Sequence, residues 1–514
     1  MPDFASRTIA ELAPALRSGA ISPVDVTGAV VDRIERLEPV LRSYVLVDAE
    51  GALRAAEGAE REIADGRWRG PLHGIPVAIK DSLAVAGWPT TNASPLMAGN
   101  VTNEDAAVVE RLRAAGATVL GKSNLHEWAM GGTCTGMPAG TVRNPWALDR
   151  VPGGSSGGSA AAVSAGLALG AVGTDGMGSL RTPASYCGIV GLKPTPGLVP
   201  RRGELPANTS PLYAIGPLAR DVRDSAILLA AIAGHEPTDP TSRPAPAGWR
   251  VDPDALRPNV EGLRVGVPRA FFLDDATPPV RAALEAAASL LSGLGASVRD
   301  VELPQIEHAG LVLPGLQSET QDFLFPLALA NPDGFASRDI RNRILANDFV
   351  RAVDARRALR LRARIRRLAA AAMADLDLLL TPTNSTQAFP IGADEVAIGT
   401  DGGNVSMRAR GGQSRVTTRL TLPFNVLGLP AISIPAAPPD ERPEAGADGA
   451  AAIPLPIGLQ LVAHPWHEAT LLEAALALEA ATGAGFREPP LASVRAAAID
   501  PDALPVAPAL GATR

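Results

Sequence analysis

The order of apolar patterns along this 514-residue chain predicts an α/β fold, and two features of the sequence carry the expectation. Short β-branched runs alternate with helical ones: "GIPVAIKDSLAV" (Gly74–Val85) precedes "DAAVVERLRAAGA", which precedes "TVLGK", as in a sheet whose strands are joined through helices. Hydrophobic residues make up 46% of the chain and aromatic ones only 4%, so its helices should pack closely through alanine and other small side chains rather than in the ring-rich layers of a sandwich. The length allows a sizeable core, whether in one large α/β unit or in about two or three ordinary domains.

Taken in order, Thr8 to about Asp65 is helical in pattern, with Ser22-Pro23 marking a break and a fresh helix start. Residues 1–70 therefore read as a helical layer on the main domain, 71–485. Gly74–Val85 reads as a buried strand. A helix of small residues is expected over 159–169. Through "GAVGTDGMGSLRTPASYCGIVGLKPTPGLVP" glycine then recurs so often that a set of tight loops is expected. Eight arginines between Arg351 and Arg367 lie on a strongly helical segment, read as a solvated face with Leu359, Leu361, Ile365 and Leu368 turned to the core. Pro-rich stretches at 236–258 and 435–453 read as surface insertions, and 486–514 as an Ala/Pro-rich tail. No repeat at solenoid or propeller period is present.

Composition narrows the function. A net charge of −7 gives no positive field for phosphates, so nucleic acid is not an expected partner. Cys134 and Cys187 cannot form a disulfide framework, and no charged segment followed by an apolar one opens the chain, which points to the cytoplasm. No long, strongly apolar run predicts a membrane span. His73, His126, His235, His308, His464 and His467 match neither H-E-x-x-H nor zinc-finger spacing, and no P-loop is present, so neither metal nor cofactor is expected.

Three places hold candidate chemistry. The first is "VPGGSSGGSAAA" (Val151–Ala162). A flexible linker would join polar neighbours, whereas this stretch runs into an apolar helix. It also satisfies G-x-S-x-G at Gly153–Gly157, the nucleophile elbow of a hydrolase, with His464 as the later histidine. That elbow needs a strand immediately before it, and "RNPWALDRVP" carries two prolines instead. The second place is Lys80 in "PVAIKDSL", whose apolar neighbours imply desolvation, which favours the neutral, basic amine. The third is "GTDGMGSLR", where Ser179 follows Gly176, Met177 and Gly178, a turn able to aim several backbone N–H groups at one oxyanion.

Together with "GLKPT", "TLPFNVLGLPAISIP", "LPIGLQLVA" and "EATLLEAALALE", these stretches resemble the amidase signature family of serine hydrolases, from about Thr8 to Thr482. The separations of 24 positions between Ser155 and Ser179 and 99 between Lys80 and Ser179 are typical of that family. The resemblance implies a central mixed, twisted β-sheet covered on both sides by α-helices. It makes Ser179 the nucleophile, Lys80 the base, and Ser155 the bridging serine whose peptide bond with Gly154 is cis. It assigns the oxyanion hole to the N–H groups of Gly176, Met177 and Gly178. Asp175 and Arg181 would brace the nucleophile loop as an ion pair, with Gly154 and Ser156 supporting the turn, and Cys187 would be a packing residue. Ala129, Met130, Gly131 and Thr133 would contact substrate.

One departure is Met177, since the family usually reads T-G-G-S before the nucleophile. Its side chain is either accommodated or shapes the acyl side of the pocket. The expected function is a free-standing, metal-independent hydrolase, monomeric or homodimeric, of small aryl or aliphatic amides, with carbamates and esters within reach. The alternative is the glutaminase-type A subunit of a tRNA-dependent amidotransferase, which releases ammonia from glutamine. Pocket walls are expected near 200–215 and 305–350.

Overall fold

The computed structural model describes residues 3–206, 210–317, 320–408, 411–436, 454–483 and 487–490. The predicted tail, apart from 487–490, and most of the 435–453 insertion lie outside these.

In chain order the strands are β1 (Tyr44–Val47), β2 (Pro76–Lys80), β3 (Thr118–Ser123), β4 (Gly170–Asp175), β5 (Val190–Lys193), β6 (Ala214–Ala219), β7 (Arg264–Pro268), β8 (Ser297–Val301), β9 (Leu378–Pro382), β10 (Glu395–Ile398), β11 (Gly403–Ser406), β12 (Ala431–Pro435) and β13 (Gly458–Ala463). Eleven of them form one sheet in the order β1-β3-β2-β4-β6-β5-β12-β13-β9-β7-β8, and β10 and β11 pair separately. β2 runs parallel to both β3 and β4, and β7 parallel to β8 and β9, while the central pairs from β4 to β9 are antiparallel. The sheet is thus mixed and flanked by helices, as expected. Its fully buried strands read as continuous apolar runs rather than alternations, which is why β2, β12 and β13 stand out in the sequence.

One core joins the N-terminal helices, through Leu12, Val30 and Leu37, to the sheet residues Val77 and Val172 and to Leu471 and Leu478 of the helix Glu468–Thr482. Capping fixes where the first helices start. Thr8 and Glu11 form a capping box before Ile9–Arg17, and Ser22 caps Pro23–Leu41 with a proline in its first turn.

The structure corrects three expectations. The segment to Asp65 is not helical throughout, because Tyr44–Val47 forms β1 against β3. The glycine-rich stretch from Gly170 is not a set of loops but β4, a helix Arg181–Cys187 and β5. Its glycines serve close approach: a methyl group at Gly173 would lie 2.9 Å from Ser156 Oγ, and one at Gly191 2.5 Å from Leu180 O. On the arginine-rich helix Ala352–Ala372, Ile365 is buried and Leu361 packs against the core as predicted, and Ala369 is buried beside them, but Leu359 is 49% exposed. The Pro-rich stretch 236–258 holds no regular element, and Val251 and Leu256 anchor it in the core. Among the described residues no helix is long and apolar enough to cross a membrane.

Candidate active site

Parallel pairing of β2 with β4 brings Lys80 and Thr174 to the same end of two neighbouring strands, where ligands bind in open α/β sheets. Lys80 is fully buried, and its Nζ donates to Ser155 Oγ at 2.8 Å and to Thr174 Oγ1 at 2.7 Å. Burial lowers its pKa to about 8, against weaker opposing pulls from Cys134, Glu204 and Asp175. The lysine is therefore neutral in about a tenth of molecules at pH 7 and in about half at pH 8.

Ser155 ends the glycine turn just before the helix Gly157–Ala165, and the Gly154–Ser155 peptide bond is cis. The turn is crowded. A methyl group at Gly154 would lie 2.9 Å from Gly131 O, and one at Gly157 2.7 Å from Cys134 Sγ. The Ser155 carbonyl accepts from His126 N–H at 3.1 Å and Cys134 Sγ at 3.3 Å. Ser156 donates its N–H to Ser179 O at 3.3 Å and its hydroxyl to Thr174 O at 3.2 Å, joining the two serine segments.

Ser179 is partly exposed, as a nucleophile must be. Its loop is held from beneath by Asp175 and Arg181, both fully buried and paired at 3.0 Å. Burial raises the Asp175 carboxyl, but Arg181, Lys193 and Asn425 outweigh it and bring the pKa to about 2. Arg181 also donates to Thr421 O, Gln460 Oε1 and Asn425 Oδ1 at 3.0, 2.6 and 2.5 Å. Asp175 accepts from Gly178 N–H at 2.6 Å and Leu180 N–H at 3.2 Å. The Gly178 N–H, expected in the oxyanion hole, is thus turned to Asp175 in this structure. Among the described residues none takes the N–H of Gly176 or Ser179.

Ala129–Thr133, expected to meet substrate, lies against this site. Gly131 and Gly132 contact Gly154, and Met130 is half-buried. Cys187 is buried and donates to Pro152 O at 3.4 Å, in keeping with a packing role. His464, the histidine an elbow triad would need, instead meets Leu376 O at 2.9 Å. Among the described residues no group of three or more His, Cys, Asp and Glu side chains could hold a metal ion.

A mixed sheet presenting a buried lysine to a cis-peptide serine beside a glycine-turn serine defines a class of hydrolase. Residues 25–472 match the Amidase family, and the chain belongs to it. The A subunit of glutamyl-tRNA(Gln) amidotransferase from Moorella thermoacetica is 39% identical, covering 94% of this chain and 98% of that protein. Its counterpart from Carboxydothermus hydrogenoformans is 38% identical, covering 91% and 96%. Among solved structures, native peptide amidase from Stenotrophomonas maltophilia superposes with a TM-score of 0.78 at 31% identity, covering 95% of this chain and 99% of that one. A bacterial aryl acylamidase of the amidase signature family superposes at 0.80 and 25% identity, covering 93% and 96%.

Proposed function

We propose that this chain cleaves amide C–N bonds through an acyl-enzyme on Ser179. The observation that carries the reading is the hydrogen bond from a buried Lys80 of lowered pKa to Ser155 Oγ. Neutral Lys80 takes the hydroxyl proton of Ser155, Ser155 takes that of Ser179, and Ser179 Oγ bonds to the substrate carbonyl carbon while the carbonyl oxygen becomes an oxyanion. Thr174 accepts one Lys80 N–H, which leaves the nitrogen lone pair for Ser155. The N–H groups of Gly176 and Ser179, with Met177 between, are the donors for the oxyanion, and Gly178 serves by holding Asp175. The proton then passes back through Ser155 to the departing nitrogen as the C–N bond breaks. Water clears the acyl group by the same route.

For the identity of the amide, the curated relatives support the amidotransferase role more strongly than the free-standing hydrolase that the sequence favoured. On that reading the substrate is glutamine, the product ammonia, and the chain works with partner subunits. A second reading, a free-standing amidase of apolar amides or carbamates, is favoured by Met177, which, like Tyr213 and Phe271, packs half-buried against an apolar cluster. Ammonia release from glutamine, set beside 4-nitroaniline release from a simple anilide and the matching alkyl carbamate, separates them, with Ser179→Ala as the blank. Glutamine turnover alone supports the first reading, and anilide or carbamate turnover alone the second. Equal rates in the wild type and the Ser179→Ala variant would reject the nucleophile itself.

A further inference from the structure

Two helices, Gln321–Ala330 and Arg338–Asn347, form a cap with an apolar cluster of its own, separate from the main core. Leu324, Ala328, Ile340 and Ile344 pack there against Trp128 and Met130 from the loop beside Ser155. The loop departs from ordinary backbone at this contact, with Trp128 at φ 54° and Ala129 at φ 56°. Between cap and loop stands Glu127, fully buried. Its carboxylate accepts from Ser94 Oγ at 2.8 Å, from Ala336 N–H at 3.0 Å and from Ser337 N–H at 3.1 Å, the last two just ahead of the second cap helix. Three donors on a buried carboxylate form a strong polar attachment, joined on the loop by Arg343 of the second cap helix, which donates to Met130 O at 2.7 Å.

We propose that Glu127 is a positioning residue, a buried clip through which the cap sets the loop Ala129–Thr133 and with it the fit of the substrate's acyl group. The inference rests on Ser179 as the nucleophile. The reacting groups are held elsewhere: Lys80 and Thr174 by the sheet, and the Ser155 carbonyl by His126 N–H and Cys134 Sγ at the two ends of the loop. The cap grips only the limb between those ends. Loosening it therefore changes which acyl groups fit and leaves the reactivity of Ser179 in place.

The test uses the full chain and two probes that phosphonylate an activated serine, an ethyl fluorophosphonate and a dodecyl fluorophosphonate, with mass spectrometry to locate the label. In Glu127→Gln an N–H₂ group replaces one acceptor and faces a donor. The rate with the dodecyl probe should fall about tenfold, the worth of a charge-assisted hydrogen bond, while the ethyl probe reacts within about twofold of wild type. Phe323→Ala removes the edge-on contact of Phe323 with Trp128, whose ring centres lie 5.8 Å apart, from a position already 39% exposed, so it preserves folding and should shift the ratio the same way. An unchanged ratio in both variants overturns the proposal, as does a parallel fall for both probes or a faster dodecyl reaction. A wild-type chain unlabelled at Ser179 would instead overturn the nucleophile reading, and this inference with it.

Discussion

Lys80 sets the chemistry at the scale of single residues, because the proposed relay starts when its neutral nitrogen takes the Ser155 proton. Its pKa of about 8 gives the sign of the pH dependence: the base is active when neutral, so kcat/KM should rise about tenfold per pH unit below 8 and level off above. His126, driven to about 3 by burial first and then by the charges of Arg343 and Lys80, stays neutral over that range and adds no second limb. A profile flat between pH 6 and 9 would exclude Lys80 as the base. Lys80→Ala should cost about 10²–10⁴-fold in the acylation step, and Ser179→Ala should abolish labelling by a fluorophosphonate. Lys80, Ser155 and Ser179 could be singled out as candidates in the sequence because each sits in a distinctive run of neighbours. Thr174, Asn425, Gln460 and Glu127 carry no comparable signal, since a polar residue inside an apolar strand or helix looks the same whether it bonds to the site or to nearby backbone. Only the pairing of distant segments gives them a role.

At the scale of elements, the nucleophile turn depends on a polar anchor rather than on apolar packing. Asp175 at the end of β4 and Arg181 at the start of the following helix clamp the residues between them, and Asn425 and Gln460 tie that clamp to the opposite part of the sheet. Asp175→Asn would leave a buried guanidinium short of its counter-charge, a change worth about 3–5 kcal/mol, and urea denaturation should show a loss of that order. Gly178→Ala tests the turn differently. The residue sits at φ 123°, and a methyl group there would lie 2.1 Å from Thr421 Oγ1, whose hydroxyl holds Met177 O at 2.6 Å. Acylation should fall at least about tenfold with little change in substrate affinity, since the strain falls on the loop carrying the oxyanion donors; an unchanged rate would remove that loop from the mechanism. The existence and order of elements were legible where period and length agreed, as in β2, β3 and the helix between them, although β2 ends at Lys80, short of the expected Val85. Legibility failed where glycine density stood for loops. Glycines in β4 and β5 instead admit close neighbours, side chains at Gly170 and Gly173 and the Leu180 carbonyl at Gly191, and the sequence alone does not distinguish these uses.

Across the whole molecule, one buried and one half-buried carboxyl group link the two ends of the described chain. Asp224 accepts from Ile9 and Ala10 N–H at 2.8 and 2.9 Å at the start of the first long helix, and Glu479 in the C-terminal helix accepts from Val222 N–H at 3.1 Å. Burial, with the nearby charge of Asp221 second, raises Glu479 to about 8. A carboxyl whose folded pKa is raised contributes stability that is complete below the unfolded value, about 4.5, and is lost as pH climbs through about 8. The fold thus loses stability from this group over the interval in which Lys80 becomes neutral and catalysis gains. Glu479→Gln separates the two trends: it should match wild type in melting temperature near pH 5 and exceed it near pH 8, with the difference growing steadily between. Parallel melting curves for the two proteins would show that Glu479 is not protonated in the fold. Because Glu479 lies outside the relay, the variant should keep the wild-type pH–rate profile while surviving longer at its alkaline plateau. A shift of that profile would mean that the carboxylate cluster reaches the active site through the shared core.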